Sequence, residues 1–386
     1  MLQTPPAPSE LLAQLVAYDT TSAKSNLPLI GFVREYLEAH GVRSHLIPSE
    51  DGHKASLFAT IGPEGVGGIG LSAHSDCVPV EGQTWTSDPF TLTLRDGKLY
   101  GRGACDMKGF LACVLASVPS FQSADLKEPI HILLSYDEEV GCVGVRPMIA
   151  KLGDTLPKPR AVIVGEPTSM QVIEAQKRID LYRTVVTGLE GHSSAPDKGV
   201  NAIAYAAELV LELQRIAAEE AKVTHDDRFE PPYSTVGIGV IEGGTASNII
   251  AKTCAVDWEV RSLPTADPNA IPSKLMAYAE ERLLPRMRAV SEQCSIATEH
   301  DHAVIGFLAA ADSDAVSLGL KLTGHNKPGT VAYATEAGLF EAAGCPTVVC
   351  GPGDIAQAHA ADEFIAVSQL EGCMALLDRL KTTLSA

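Results

Sequence analysis

The chain has 386 residues, 45% of them hydrophobic and 20% charged, which suits a folded protein and excludes a disordered one. At ~150 residues per domain it holds two to three domains. Thirty Lys and Arg against 48 Asp and Glu leave a net charge of −18, so the basic footprint required for nucleic acid or an anionic membrane surface is missing.

The first 22 residues show neither the basic start nor the apolar run of a secretory signal, and no stretch approaches the ~18 apolar residues of a membrane span. The first element is a helix in which Ser9 caps Glu10 and the run Leu11-Leu12-x-x-Leu15-Val16. A second covers Asn26 to His40 and stops at Gly41. Strands follow at Ser56–Ile61, Ile69–Ala73, Ile130–Tyr136 and Ala161–Val164, with helices at Met107–Val118 and Val145–Leu152. This alternation predicts an α/β sheet covered on both faces. After about residue 180 the pattern changes. Asp180–Thr187, Thr235–Ile241, Thr253–Arg261 and Cys294–His300 read as strands, separated by two long helices at about Val200–Ala221 and Pro268–Arg288. From about residue 303 the α/β character returns, with a helix at Asp312–Leu320, Lys327–Tyr333 extended, a helix at Glu336–Ala343 and a strand at Thr347–Cys350. The expectation is a discontinuous catalytic domain, 1–179 and 303–386, with an α+β lid inserted at 180–302.

Gly65-Val-Gly67-Gly68-Ile-Gly70 matches the dinucleotide fingerprint G-x-G-x-x-G, but it leads into a strand, with no helix to receive a pyrophosphate. It reads as a glycine-rich turn. The nine cysteines are scattered and never spaced C-x-x-C, which argues for reduced thiols in a cytoplasmic protein and against a cysteine zinc site.

Chemistry gathers where strands end. His74-Ser75-Asp76 places both functional side chains on one side of the chain, so Asp76 can hold the ring nitrogen that His74 does not use as a ligand. Alone, the pair also fits an exposed loop. Asp106, in Gly101-Arg-Gly103-Ala-Cys-Asp106, fits a helix cap, yet the glycines let the backbone approach something closely. Asp137-Glu138-Glu139 follows an apolar strand, and adjacent carboxylates repel unless a cation offsets them. Glu166 sits just past the strand Ala161–Val164, and His359 follows the last strand after a tight turn. Two imidazoles and three carboxylates, one of them bridging, suit a pair of borderline divalent ions such as zinc. A further carboxylate left free would move protons, which accounts for Glu138 beside Glu139.

In combination these segments resemble the co-catalytic zinc aminoacylase and carboxypeptidase family, which takes in acetylornithine deacetylases, succinyl-diaminopimelate desuccinylases and carboxypeptidases G. The resemblance spans essentially the whole chain. It implies a zinc-peptidase-like α/β catalytic domain, a mixed sheet with helices on both faces, and an inserted α+β lid and dimerisation domain. It further implies that His74 and Glu166 bind one metal, Glu139 and His359 the other, and that Asp106 bridges them. Asp76 would orient His74, and Glu138 would be the general acid and base. In the insert, His192 of Gly191-His-Ser-Ser-Ala-Pro196 matches a histidine that stabilises the oxyanion in the partner subunit's site, so a homodimer is implied. Asn248 and Arg261 match residues that grip a substrate carboxylate. The two metals are expected to be zinc, with cobalt or manganese as alternatives.

Ala334-Thr335-Glu336-Ala337 and Gly351 to His359 are most similar to the acetylornithine deacetylases of the family, which implies a small N-acyl amino acid, N2-acetyl-L-ornithine, as substrate. Glu336 would pair with its δ-ammonium; as a plain reading it begins a helix, where a carboxylate suits the dipole. A desuccinylase, general aminoacylase or dipeptidase of the same family is the alternative, and a non-catalytic metal-binding protein is a more distant one.

Overall fold

The computed structural model describes residues 6–65 and 67–386, so the first five residues of the stretch read for a signal, and Val66 of the glycine-rich turn, lie outside the described residues. The chain divides into two units. One comprises the chain up to Ala175 with Phe307–Gly329 and Thr335–Ala386, and the other Gln176–Gly306 with Thr330–Ala334. The second unit is thus one continuous stretch, Gln176–Gly306, joined by a short later segment.

The first unit is built on a mixed sheet with the order Ser44–Pro48, Ala55–Ile61, Ile130–Ser135, Ile69–His74, Ala161–Pro167, Thr347–Gly351, Ile173–Gln176, Phe307–Leu308. The four strands from Ile130–Ser135 through Thr347–Gly351 run parallel to one another, while Ser44–Pro48 with Ala55–Ile61, Ala55–Ile61 with Ile130–Ser135, and Thr347–Gly351 with Ile173–Gln176 pair antiparallel. Every residue of Ile69–His74, Ile130–Ser135 and Thr347–Gly351 is buried, as a parallel core covered on both faces requires. Helices Pro8–Val16, Gly109–Gln122 and Val367–Leu384 supply much of that cover through Leu12, Leu15, Leu111, Leu115, Leu376 and Leu380. Because the four strands are parallel, their carboxyl ends share one edge, where open α/β sheets place ligands.

Several expectations shift locally. Ser9 is not the cap: the first helix starts at Pro8, and the Ala7 N–H donates to the Glu10 carboxylate at 2.8 Å. The helix expected over Val145–Leu152 is one turn, Arg146–Ile149. Against the sequence reading, Ala104–Gln122 is long and apolar enough to pass for a membrane span, but 89% of it is buried, which marks a core helix.

The insert is a four-stranded antiparallel sheet in the order Thr235–Gly243, Thr253–Ser262, Arg178–Thr187, Ser295–Val304. Helix Ala202–Glu220 and the run from Ala270 to Arg288 bury Leu209, Leu213, Ile216, Leu275 and Met287 with Val186, Val256 and Trp258 of the sheet. Asn201 caps the first of these helices, its side chain accepting from the N–H groups of Ile203 and Ala204.

Candidate metal centre

His74 ends its strand with the ring 1% exposed. Its Nε2 lies 3.0 Å from Asp106 Oδ1 and 3.7 Å from Glu166 Oε1. The other oxygen of Asp106, Oδ2, lies 3.3 Å from His359 Nε2, which is also 3.0 Å from Glu139 Oε2. One carboxylate thus faces two imidazoles, one through each oxygen, with a further carboxylate at the same Nε2 of each ring. Glu166 stands inside the strand Ala161–Pro167 rather than just beyond it, because that strand runs past Val164.

Asp137, Glu138 and Glu139 do not all enter this site. Asp137 turns away into an ion pair with Lys54, which removes one of three adjacent negative charges. The backbone N–H groups of Glu138 and Glu139 donate to Asp76 Oδ1 and Oδ2 at 3.2 and 3.3 Å, and Ser22 Oγ donates to Oδ2 at 2.8 Å. Asp76 does face His74 Nδ1, but its carbonyl oxygen is nearer, at 3.0 Å, than its carboxylate at 3.5 Å. The carboxylate therefore serves the Glu138–Glu139 loop at least as much as the ring. Glu138 accepts from the Cys142 thiol at 3.5 Å, leaving it beside the cluster without a bond to either histidine.

The electrostatics describe a cluster with too much negative charge for its burial. Burial and the Asp106 charge push Glu139 up to about 7 and hold Glu166 well above the carboxylate range. Burial also holds Glu138 high, with His74 opposing and Glu139 adding. Asp106 goes the other way: burial works against its charge, but hydrogen bonds from His359 and His74 lower it. The hydrogen bonds that His359 gives to Asp106 and Glu139 in turn raise its own value to about 10. Glu139 Oε1 and Glu166 Oε1 are buried with no hydrogen-bond partner, and a buried acceptor in that state is costly. The ligand atoms of His74, Asp106 and Glu139 lie within 4.8 Å of one another, as do those of His74, Glu138 and Glu166. Nitrogen and oxygen donors at that spacing, with orphaned oxygens among them, fit divalent cations.

The other named residues are placed as follows. Glu336 immediately precedes helix Ala337–Ala342 without a side-chain capping bond, is 1% exposed, and accepts from Ser72 Oγ at 3.2 Å and from Ser135 Oγ; burial pushes it up to about 7. His192, Asn248 and Arg261 belong to the insert. His192 Nδ1 is 2.7 Å from Ser194 Oγ, and the Asn248 carbonyl accepts from Ser193 N at 3.2 Å, so these two share a corner. Arg261 lies apart from them on the strand Thr253–Ser262, paired with Glu259 at 2.7 Å. Glu363, which sequence reasoning passed over, is buried beneath the Asp106 turn.

Comparison with known proteins extends this geometry. The profile of peptidase family M20/M25/M40 matches residues 70–382. An acetylornithine deacetylase from Myxococcus xanthus is 37% identical over 392 aligned residues, covering 98% of each chain. Another, from Proteus mirabilis (strain HI4320), is 37% identical and covers 96% of this chain and 95% of its own. Among solved structures, an M20 family metallo-carboxypeptidase from Sulfolobus solfataricus superposes with a TM-score of 0.77 at 18% identity, covering 98% of this chain and 99% of that one. A tripeptidase from Staphylococcus aureus gives 0.75 at 19% identity, covering 98% of each. At those identities the two structures speak for the fold alone.

Proposed function

The chain belongs to peptidase family M20/M25/M40 and is a metal-dependent hydrolase of an amide bond; from that premise we propose that it cuts N2-acetyl-L-ornithine to L-ornithine and acetate, a step of arginine biosynthesis. The observation that carries this is the end-to-end likeness to acetylornithine deacetylases, insert included, at 37% identity.

In this reading His74 and Glu166 hold one ion, Glu139 and His359 the other, and Asp106 is shared between them. Zinc suits the donor set, with cobalt and manganese as substitutes. When bound, such a pair polarises a carbonyl and makes water acidic at neutral pH. The chain's own part is proton handling and grip. Glu138 takes the proton of the attacking water and passes it to the departing amine as the C–N bond breaks. Asp76 holds the Glu138 and Glu139 backbone still meanwhile. His192 donates to the developing oxyanion, and Asn248 and Arg261 hold the substrate's α-carboxylate, roles that make a homodimer through the insert the working assembly. Glu336 is assigned to the δ-ammonium: a buried carboxylate between two serine hydroxyls gains from a cation that replaces one of them. Nine unpaired, buried cysteines favour a reducing compartment, the cytoplasm.

The test is a panel of acetylornithine, succinyl-diaminopimelate and acetylmethionine at saturating metal. Preference for acetylornithine is expected, and preference for either of the others overturns the substrate assignment. Glu336→Gln should cost acetylornithine more than acetylmethionine; equal losses remove Glu336 from the site.

A further inference from the structure

We propose that Glu363, Arg102 and Gln83 form a positioning network that locks the Asp106 turn to the His359 loop and so sets the affinity for both cations. The proposal rests on the two-metal reading above.

Glu363 is 1% exposed and collects three backbone N–H groups of one turn. Its Oε1 accepts from Cys105 and Asp106 at 2.9 and 3.0 Å, and its Oε2 from Gly103 at 3.0 Å. A single carboxylate can serve all three, whereas a carboxamide has only one accepting end. Gly103, at φ 75°, supplies the left-handed residue that turns these N–H groups inward. Oε2 also receives Arg102 Nη1 at 2.8 Å, and this guanidinium is fully buried. From Arg102 the network runs on to the second loop. Nη1 reaches the Ala360 carbonyl at 3.3 Å, and Nη2 donates to Gln83 Oε1. Gln83 Nε2 then donates to the carbonyl of His359 itself at 2.8 Å.

An unbroken run of hydrogen bonds therefore joins the backbone of the shared ligand to the backbone of a histidine about 250 residues later in the chain. A buried ion pair is a costly way to add stability, and its best-attested use is to impose one arrangement. Here the arrangement is the one in which Asp106 offers an oxygen to each histidine. Groups that hold ligands in this manner commonly set metal affinity by ~10–100-fold.

The test titrates metal-stripped protein with zinc against a chelating fluorophore of known affinity. Glu363→Gln should weaken both ions by about 10–100-fold, since Asp106 faces both histidines. Gln83→Met, which leaves Arg102 paired with Glu363 and its Nη2 on the Pro79 carbonyl at 3.3 Å, should weaken only one. A weakening by Glu363→Gln alone overturns the extension to His359. Parental affinity at both ions in both folded variants overturns the proposal. Should Glu363→Gln fail to fold, Gln83→Met decides by the same readout. A parent that binds no zinc defeats the two-metal reading instead, a result separate from either.

Discussion

Asp76→Asn probes how the site is held. The parent carboxylate accepts from Ser22 Oγ, Glu138 N and Glu139 N while facing the His74 ring. Asparagine keeps the shape and one accepting oxygen, so one of the two backbone N–H groups meets an amide donor instead. The Ser22 hydroxyl can rotate to accept. One buried donor left unpaired costs about 1–3 kcal/mol, and that is the loss expected in urea unfolding of the metal-free protein. Metal affinity should fall by about 10–100-fold, because the loop carrying Glu139 loosens and His74 loses a neighbouring anion. The ring itself stays in place, since its nearer partner is the Asp76 carbonyl at 3.0 Å. Zinc competition and denaturant titration, run on the same samples, separate the two effects. A variant with parental affinity and parental stability refutes the assignment of this carboxylate as the support of the loop.

Three further outcomes follow from the geometry. Glu138→Gln should retain both metals and lose about 10²–10⁴-fold in kcat, measured at saturating metal; near-parental turnover removes Glu138 as the proton carrier. Gly165→Ala should destabilise by about 3 kcal/mol in denaturant titration, because the new Cβ would stand 2.0 Å from Phe110 Cδ1 in the closed core; a loss below about 1 kcal/mol would mean the core gives way. Lys177, fully buried, donates to the carbonyls of Pro231 and Tyr233, and burial together with the Arg261 charge lowers its pKa from 10.5 to about 8. Between those values the unfolded chain keeps a proton that the folded chain has released, so stability rises with pH across that window. Relative to Lys177→Met the parent should gain up to about 3 kcal/mol there, and unfolding curves that stay parallel contradict the assignment.

What could be read from sequence follows from how local each signal is. His74, Glu139 and His359 stand next to strands whose apolar runs announce themselves, so their shared edge follows from parallel strands ending together. The apolar run ends at Val164, so Glu166 reads as lying just past its strand; in the fold the strand continues through Gly165, which stands against Phe110, to Pro167. Glu363 gave no local sign. Beside Asp362 and ahead of a short strand it looks like a solvated acid, and its partners lie far back in the chain. The return of Thr330–Ala334 to the insert was equally silent, since a few residues carry no periodicity of their own. The run Asp137-Glu138-Glu139 shows three like charges and no sign of what offsets the first of them; the partner, Lys54, lies 83 residues earlier in the chain.

The proposed two-metal hydrolytic centre around Asp106 is tested most directly by stripping the protein with a chelator and following acetylornithine hydrolysis as zinc is returned. Activity should be absent from the stripped protein and climb to a plateau at two zinc ions per chain. Full activity in the stripped protein, or a protein that takes up no divalent ion, contradicts it.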